Sequence, residues 1–299
     1  MKLFVTGATG FIGSHFLRAA IDAGLEVVAV GRREPTLSHP LLRFVESPIG
    51  PELASAPVPW EEIDVVVHLA ASGVKASERL WPEALQVNVL GTQILLDLME
   101  RLAARRPPLI VATTFYEDFV GDNSALLENP YIATKRVATD LVRLWATRTQ
   151  WPVCLARVFQ VYGPGDNPSN VLPYALQQFA NGEPALFGSG TGLRDWIYIS
   201  DAVRAFMLLV DDLAASPPPG VSVFDIGSGQ LASIKEMILT VAECCGVDAA
   251  RICDFDPSRD RPDSLPNVAA QVAPSGFACE FVPRDGVRRL AESFGISTL

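Results

Sequence analysis

Short unbroken apolar runs alternate, through the first half of the chain, with segments whose apolar residues recur every three or four positions. Residues 2–5 lead into Thr6-Gly7-Ala8-Thr9-Gly10-Phe11-Ile12-Gly13, after which Phe16, Leu17, Ala20 and Ile21 keep helical spacing as far as Gly24. That pattern predicts strand, glycine turn, helix. Further runs at 25–30, 42–46, 64–69, 109–113 and 153–158 are too continuous for strands with one wet face, so parallel strands buried on both sides are expected. Helices are expected at 82–105 and 131–148. Alternation of this kind implies an α/β fold built on a right-handed, doubly wound parallel sheet.

Beyond Tyr162-Gly163-Pro164-Gly165 the rhythm loosens. Helical stretches near 171–181, 200–212, 233–245 and 284–294 are separated by Pro- and Gly-rich turns such as Ser216-Pro217-Pro218-Pro219-Gly220. The expected organisation is a dinucleotide-binding domain over 1–165 and a smaller substrate-binding lobe over 166–299, partly interleaved with it. No internal repeat or low-complexity tract occurs.

Composition narrows the function. In 299 residues, 34 acidic side chains outnumber 24 basic ones, and a net charge of −10 repels nucleic acid and anionic membrane surfaces. A phosphate-bearing ligand must then be held locally, by backbone amides and a few arginines. Only His15, His39 and His68 occur, without metal-ligand spacing, so neither a metal site nor a serine–histidine triad is expected. Five cysteines without a C-x-x-C pattern imply no disulfide framework and point to the cytoplasm. No apolar run approaches the ~18 residues of a membrane span.

Gly7, Gly10 and Gly13 form G-x-x-G-x-x-G between the first strand and helix. A purely structural turn would use glycines too, but placement at the start of a βαβ unit favours a dinucleotide pyrophosphate, bound by free N–H groups and the positive end of the helix dipole. The second strand decides which dinucleotide. An NAD site usually carries an Asp or Glu there for the ribose hydroxyls, whereas this chain has Gly31-Arg32-Arg33. Two guanidiniums suit a 2′-phosphate, so NADP(H) is favoured over NAD(H), although solvated loop arginines and an inward-turned Glu34 would restore NAD(H).

Tyr131 and Lys135 stand four apart, on one face of a predicted helix. A phenol with a pKa near 10 is a poor proton donor or acceptor at neutral pH, and a neighbouring ammonium favours the phenolate. A surface tyrosine beside a solvated lysine is the bland alternative.

Taken together, these segments resemble the extended short-chain dehydrogenases/reductases of the nucleotide-sugar epimerase/dehydratase/reductase group. The resemblance spans essentially the whole chain. It rests on Thr6 to Gly13, on Asp64-Val65-Val66-Val67-His68-Leu69-Ala70-Ala71, on Asn88-Val89-Leu90-Gly91-Thr92, on Tyr131 and Lys135, and on Arg194-Asp195-Trp196-Ile197-Tyr198-Ile199-Ser200-Asp201. It implies a Rossmann-type sheet and a cofactor held by Gly7, Thr9, Gly10, Phe11, Ile12 and Gly13, with Arg32 and Arg33 at its ribose. It also implies Leu69, Ala70 and Ala71 along ribose and pyrophosphate, Asn88 supporting the active-site helix, and Lys135 binding the nicotinamide ribose while tuning Tyr131. His68 is then a packing residue. A nucleotide-sugar substrate is implied, with Gln160 in the segment joining the two sites, Arg194 as diphosphate ligand, and Arg259 or Arg261 as a second. The helices at 82–105 and 131–148 resemble the family's dimerisation pair, and Leu141, Leu144 and Trp145 would serve either core or a homodimer interface.

The chain departs from the family after the fifth strand, where a Ser or Thr normally meets the reacting carbonyl. Counting forward from the strand in Ala112-Thr113-Thr114-Phe115-Tyr116-Glu117-Asp118 gives Thr113 or Thr114. Counting back from Gly121 gives Tyr116 instead, with Glu117 and Asp118 where dehydratases carry an acid–base pair. The strand count is preferred because loops absorb insertions. Gln160 replaces the usual asparagine. The leading expectation is an NADPH-dependent reductase of a 4-keto-6-deoxy nucleotide-sugar. A 4-epimerase and then a 4,6-dehydratase are the alternatives, followed by a non-catalytic dinucleotide sensor and a reductase of some non-nucleotide carbonyl compound.

Overall fold

The structure is a computed structural model, described here over residues 1–74, 80–119, 128–260 and 267–296. In chain order its elements are β1 (Lys2–Thr6), α1 (Phe11–Asp22), β2 (Glu26–Gly31), β3 (Leu42–Glu46), β4 (Val65–His68), α2 (Trp81–Ala84), α3 (Thr92–Leu102), β5 (Leu109–Thr114) and α4 (Pro130–Thr149). There follow β6 (Val153–Val158), β7 (Gln160–Tyr162), α5 (Val171–Asn181), β8 (Ala185–Phe187), β9 (Leu193–Tyr198), α6 (Ile199–Ala215), β10 (Val221–Ile226), β11 (Leu231–Ser233), α7 (Ile234–Cys244), α8 (Ala249–Ile252), β12 (Cys253–Phe255) and α9 (Pro283–Ser293).

One compact unit comprises Met1–Val158, Val203–Asp225 and Pro274–Gly276. Its sheet runs β10-β6-β5-β4-β1-β2-β3, with parallel pairing from β6 through to β3. This is a Rossmann-type α/β fold. The unbroken apolar runs are explained by their burial: Leu3, Phe4, Val5, Val65, Val66, Val67, Leu109 and Ile110 are fully inaccessible, whereas β3, expected to be buried on both sides, is a sheet edge and buries only Val45. Each such side chain contributes about 1.5–3 kcal/mol relative to exposure. Trp145 belongs to this core, tilted against Trp151 at 5.0 Å with its indole N–H on Glu100 at 2.9 Å, whereas Leu144 beside it is 69 % exposed. The strand β10, which takes the edge beside β6, follows the proline turn at 216–220 and had no counterpart among the runs singled out in the sequence.

The helix expected at 82–105 is three pieces: α2, a π-helical turn Leu85–Gly91, and α3. π-Turns interrupt helices mainly at functional places, and this one carries Asn88. Close packing holds it, since a Cβ on Gly91 would meet the Ile49 carbonyl oxygen at 2.9 Å. The helix α4 starts where the sequence allows: Asn129 accepts from the Tyr131 amide at 3.1 Å and Pro130 sits at the first helical position.

The second unit comprises Phe159–Ala202, Ile226–Ala273 and Phe277–Leu299. It contains a three-stranded sheet β11-β9-β7 and the parallel pair β12-β8. Buried Asp195 organises it, its carboxylate accepting from the Ser228 amide and hydroxyl, the Gly229 amide and the Ala270 amide at 2.6–2.9 Å. Four donors on one carboxylate tie two loops to β9. Among the described residues no helix is long and apolar enough to cross a membrane, and no cluster of ligand-type side chains could hold a metal.

Candidate functional site

The turn between β1 and α1 is built by glycine for two reasons. Gly7 has φ +72°, and a Cβ there would sit 2.6 Å from the Ala70 amide nitrogen; a Cβ on Gly13 would sit 2.0 Å from the Gly7 carbonyl oxygen. The loop after β4 and the first turn of α1 therefore close on the glycine turn itself. Gly10 is the N-cap, so the amides at Phe11, Ile12 and Gly13 begin α1 without intrahelical partners, as an anion requires. Beside them a hollow is lined by Gly7, Thr9, Val30, Gly31, Arg33 and Phe44. A dinucleotide fits this set: amides for the pyrophosphate, an apolar wall for a base, and a guanidinium where NAD sites usually place an acid. Arg32, Arg33 and Glu34 are all exposed.

Behind the turn lies a buried polar chain. The Ala70 amide donates to Thr6 Oγ1 at 3.3 Å, Thr6 Oγ1 lies 2.7 Å from His68 Nδ1, His68 Nε2 lies 3.0 Å from Thr92 Oγ1, and that hydroxyl donates to the Asn88 carbonyl at 2.7 Å. The side chain of Asn88 carries the connection onward, donating to Ser72 O at 3.0 Å and Thr134 Oγ1 at 2.9 Å and accepting from the Ser72 amide at 2.8 Å. Thr134 in turn bonds the Pro130 carbonyl at 2.6 Å, in the first turn of α4. His68 is thus more than a packing residue. Burial, with a smaller contribution from the charge of Lys135, lowers its pKa to about 3 and keeps it neutral.

On α4, Lys135 is buried and its ammonium donates to the Ala112 carbonyl of β5 at 2.6 Å. Desolvation lowers its pKa, opposed by the charge of Glu117. Tyr131 is half-buried one turn earlier. At the end of β5, Thr113 and Thr114 are both buried, and register pairs them with Arg157 and Val158 of β6. The Thr113 hydroxyl is buried beside the Glu117 carboxylate, which it helps to hold ionised, without reaching full hydrogen-bonding geometry. A polar group left this way normally awaits a ligand or water.

After Thr114 the chain makes a 3-10 turn, Phe115–Phe119. If the hydroxyl belongs to Thr114, the next two positions are Phe115 and Tyr116, neither of them an acid. Glu117 points inward, 2 % exposed, and accepts from Thr139 Oγ1 on α4 at 3.0 and 3.2 Å. Desolvation raises its pKa to about 7, against the pull of the Lys135 charge and of the Thr139 and Thr113 hydroxyls, with the Asp118 charge adding to the rise. Asp118 is ion-paired with Arg157, which also holds buried Asp225 at 2.7 Å. The residue order offers Glu117 as half of a candidate acid–base pair but gives no sign that it is buried.

The substrate residues named from sequence lie in the second unit. Gln160 opens β7, paired with Trp196 of β9, and the Arg194 guanidinium donates to the Leu193 carbonyl at 2.6 Å. Arg259 is engaged by Asp254 at 2.6 Å and by the Phe187 and Asp254 carbonyls at 3.1 Å, which occupies the fork a phosphate would need. Arg261 falls outside the described residues.

Residues 3–227 match the profile of the NAD dependent epimerase/dehydratase family. The low-salt glycan biosynthesis protein Agl12 of Haloferax volcanii is 33 % identical over 264 residues, 82 % of this chain and 83 % of that one. Among solved structures, MoeE5 in complex with UDP-glucuronic acid and NAD is 30 % identical with TM-score 0.80 over 99 % of both chains. UDP-glucuronic acid 4-epimerase from Bacillus cereus, in complex with UDP-glucuronic acid and NAD, is 25 % identical with TM-score 0.82 over 99 % of both.

Proposed function

Because this chain belongs to the NAD-dependent epimerase/dehydratase family, we propose that it works on a nucleotide-sugar by hydride transfer at a sugar carbonyl, and that its net reaction is reduction of a 4-keto-6-deoxy nucleotide-sugar by NADPH. The observation that carries the finer reading is the end of β2. Gly31 stands where an acid would select NAD, and Arg33 lines the hollow beside Gly7 and Thr9. A cofactor consumed each turnover belongs to a reductase rather than to an enzyme that restores it.

A nicotinamide dinucleotide held by the glycine turn would supply the hydride for the carbonyl carbon. The protein does the rest. Tyr131 gives its phenolic proton to the oxygen as charge develops there, so ketone, hydride and proton together become the alcohol. The ammonium of Lys135 lowers the cost of the phenolate left behind. Thr113 or Thr114 orients the carbonyl oxygen, the Thr113 hydroxyl lacking a fully formed hydrogen bond of its own. Asn88 fixes the start of α4 through Thr134. Gly7 through Gly13 hold the pyrophosphate, while Leu69, Ala70 and Ala71 close over it. Gln160, Arg194 and Arg261 are assigned to the nucleotide-sugar. We place the enzyme in the cytoplasm as a homodimer, the exposed Val137 and Leu144 of α4 supporting that interface.

A dehydratase is disfavoured because Asp118 is held by Arg157 and Glu117 is buried against Thr139. Epimerisation through a transient 4-keto sugar is the second reading, supported by the likeness to the Bacillus cereus 4-epimerase. Incubation with NADPH and a 4-keto-6-deoxy nucleotide-sugar, followed by the absorbance of reduced nicotinamide, separates the two. Stoichiometric loss of NADPH is expected. Interconversion of a UDP-sugar without NADPH loss would establish the epimerase instead.

A further inference from the structure

The buried acid Glu117 has no part in the chemistry described above. Its carboxylate is enclosed between the 3-10 turn after β5 and the inner face of α4, where Thr139 reaches both of its oxygens and the Thr113 hydroxyl also favours the ionised form. Thr139 lies one helical turn beyond Lys135, so the two side chains share a face of α4. Lys135 and Glu117 each carry the other's charge as a main electrostatic influence. The remaining charges around Glu117 are accounted for. Arg136 donates to its backbone carbonyl at 2.9 Å and pairs outward with Asp140; Asp118 is neutralised by Arg157, which also holds Asp225; His68 is neutral. One buried acid and one buried ammonium are therefore left to balance each other behind Tyr131.

We propose that Glu117 is a positioning residue for Lys135: a buried counter-charge, oriented by Thr139, whose protonation state sets that of the ammonium and through it the proton-donating strength of Tyr131. This rests on the roles given to Tyr131 and Lys135 in the proposed function. With Glu117 ionised, the Lys135 ammonium is retained inside the protein; with Glu117 protonated, the ammonium stands unbalanced and releases its proton more readily. The pair thus titrates as a unit, and no group outside it has to change charge.

The test uses the full chain with NADP bound, labelled with 13C at glutamate carboxyl carbons. The resonance absent in Glu117→Gln identifies Glu117, and its titration midpoint is expected near neutrality. In Lys135→Met that midpoint should rise by at least one pH unit, because the balancing cation is gone. In Thr139→Val it should also rise, through loss of the bond that favours the ionised form, and this displaced signal identifies Glu117 if Glu117→Gln does not fold. A midpoint in the ordinary carboxylate range, or one unmoved by Lys135→Met, overturns the proposal. In turnover, Glu117→Gln should move the alkaline limb of the kcat profile to lower pH with KM unchanged; a uniform fall at every pH would show a structural role only and would also overturn it. Absence of any NADPH consumption by the unmodified protein would instead refute the reductase reading, while the titration still decides the pairing.

Discussion

His68 Nε2 stands 3.0 Å from Thr92 Oγ1, and the direction of that bond is fixed by its neighbours. The Thr92 hydroxyl spends its proton on the Asn88 carbonyl, so the imidazole must donate at Nε2 and accept at Nδ1 from Thr6. The network holds only for the neutral ring, and it joins the loop over the glycine turn to the first turn of α4.

That neutrality makes stability pH-dependent. The unfolded histidine titrates near 6.5 and the folded one near 3, so the unfolded chain binds the extra proton throughout that window. Stability should fall as pH drops from 6.5 toward 3, by at most about 1.4 kcal/mol per unit from this group. His68→Gln should be less stable at pH 8, by roughly 1–3 kcal/mol for the imperfect bonds, with the gap closing at pH 4. Urea unfolding at the two pH values checks this; a gap independent of pH contradicts it.

Glu117 has the opposite sign. Its folded pKa, about 7, lies above the ordinary 4.5, so its contribution is most favourable below pH 4.5 and declines as pH rises through 7. The stability of Glu117→Gln, which cannot ionise, relative to the parent should therefore rise by about 1–3 kcal/mol between pH 4.5 and pH 8.5. Thermal melts at both pH values give the comparison.

Thr113 and Thr114 are separated by a pair of valine substitutions. The Thr113 hydroxyl is only weakly engaged, by the Glu117 carboxylate, so Thr113→Val should change the melting temperature little while kcat falls on the order of 10²-fold. If Thr114→Val shows the larger loss of kcat, the carbonyl belongs to Thr114.

Arg33 lines the hollow beside the glycine turn. Arg33→Asp should shift the ratio of kcat/KM for NADPH over NADH toward NADH by at least about tenfold, equivalent to ~1.4 kcal/mol, with Arg32→Asp the weaker of the two. An unchanged ratio would remove the basis for NADP(H).

Much of this protein is legible in its sequence. Period and run length give β1 to β6 to within a residue or two, because their apolar runs are continuous or nearly so, even at the edge strand β3 where only Val45 is buried. The spacing of Gly7, Gly10 and Gly13, and of Tyr131 and Lys135, follows from local geometry, which the chain order specifies. Three things did not follow from order. The edge strand β10 comes after a proline-rich turn, and its moderate burial gives it no continuous apolar run. The π-turn that presents Asn88 depends on the close approach of Gly91 to Ile49, a contact 42 positions away in sequence and visible only in space. The state of Glu117 was also undetermined, since the same Glu-Asp pair reads equally as an acid–base couple or as one buried and one ion-paired group. Burial, the Thr139 bond to Glu117 and the Arg157 pairing of Asp118 decided it, because the ionisation of a carboxylate depends on which charges and dipoles surround it, and those come from β5, β6 and α4 together.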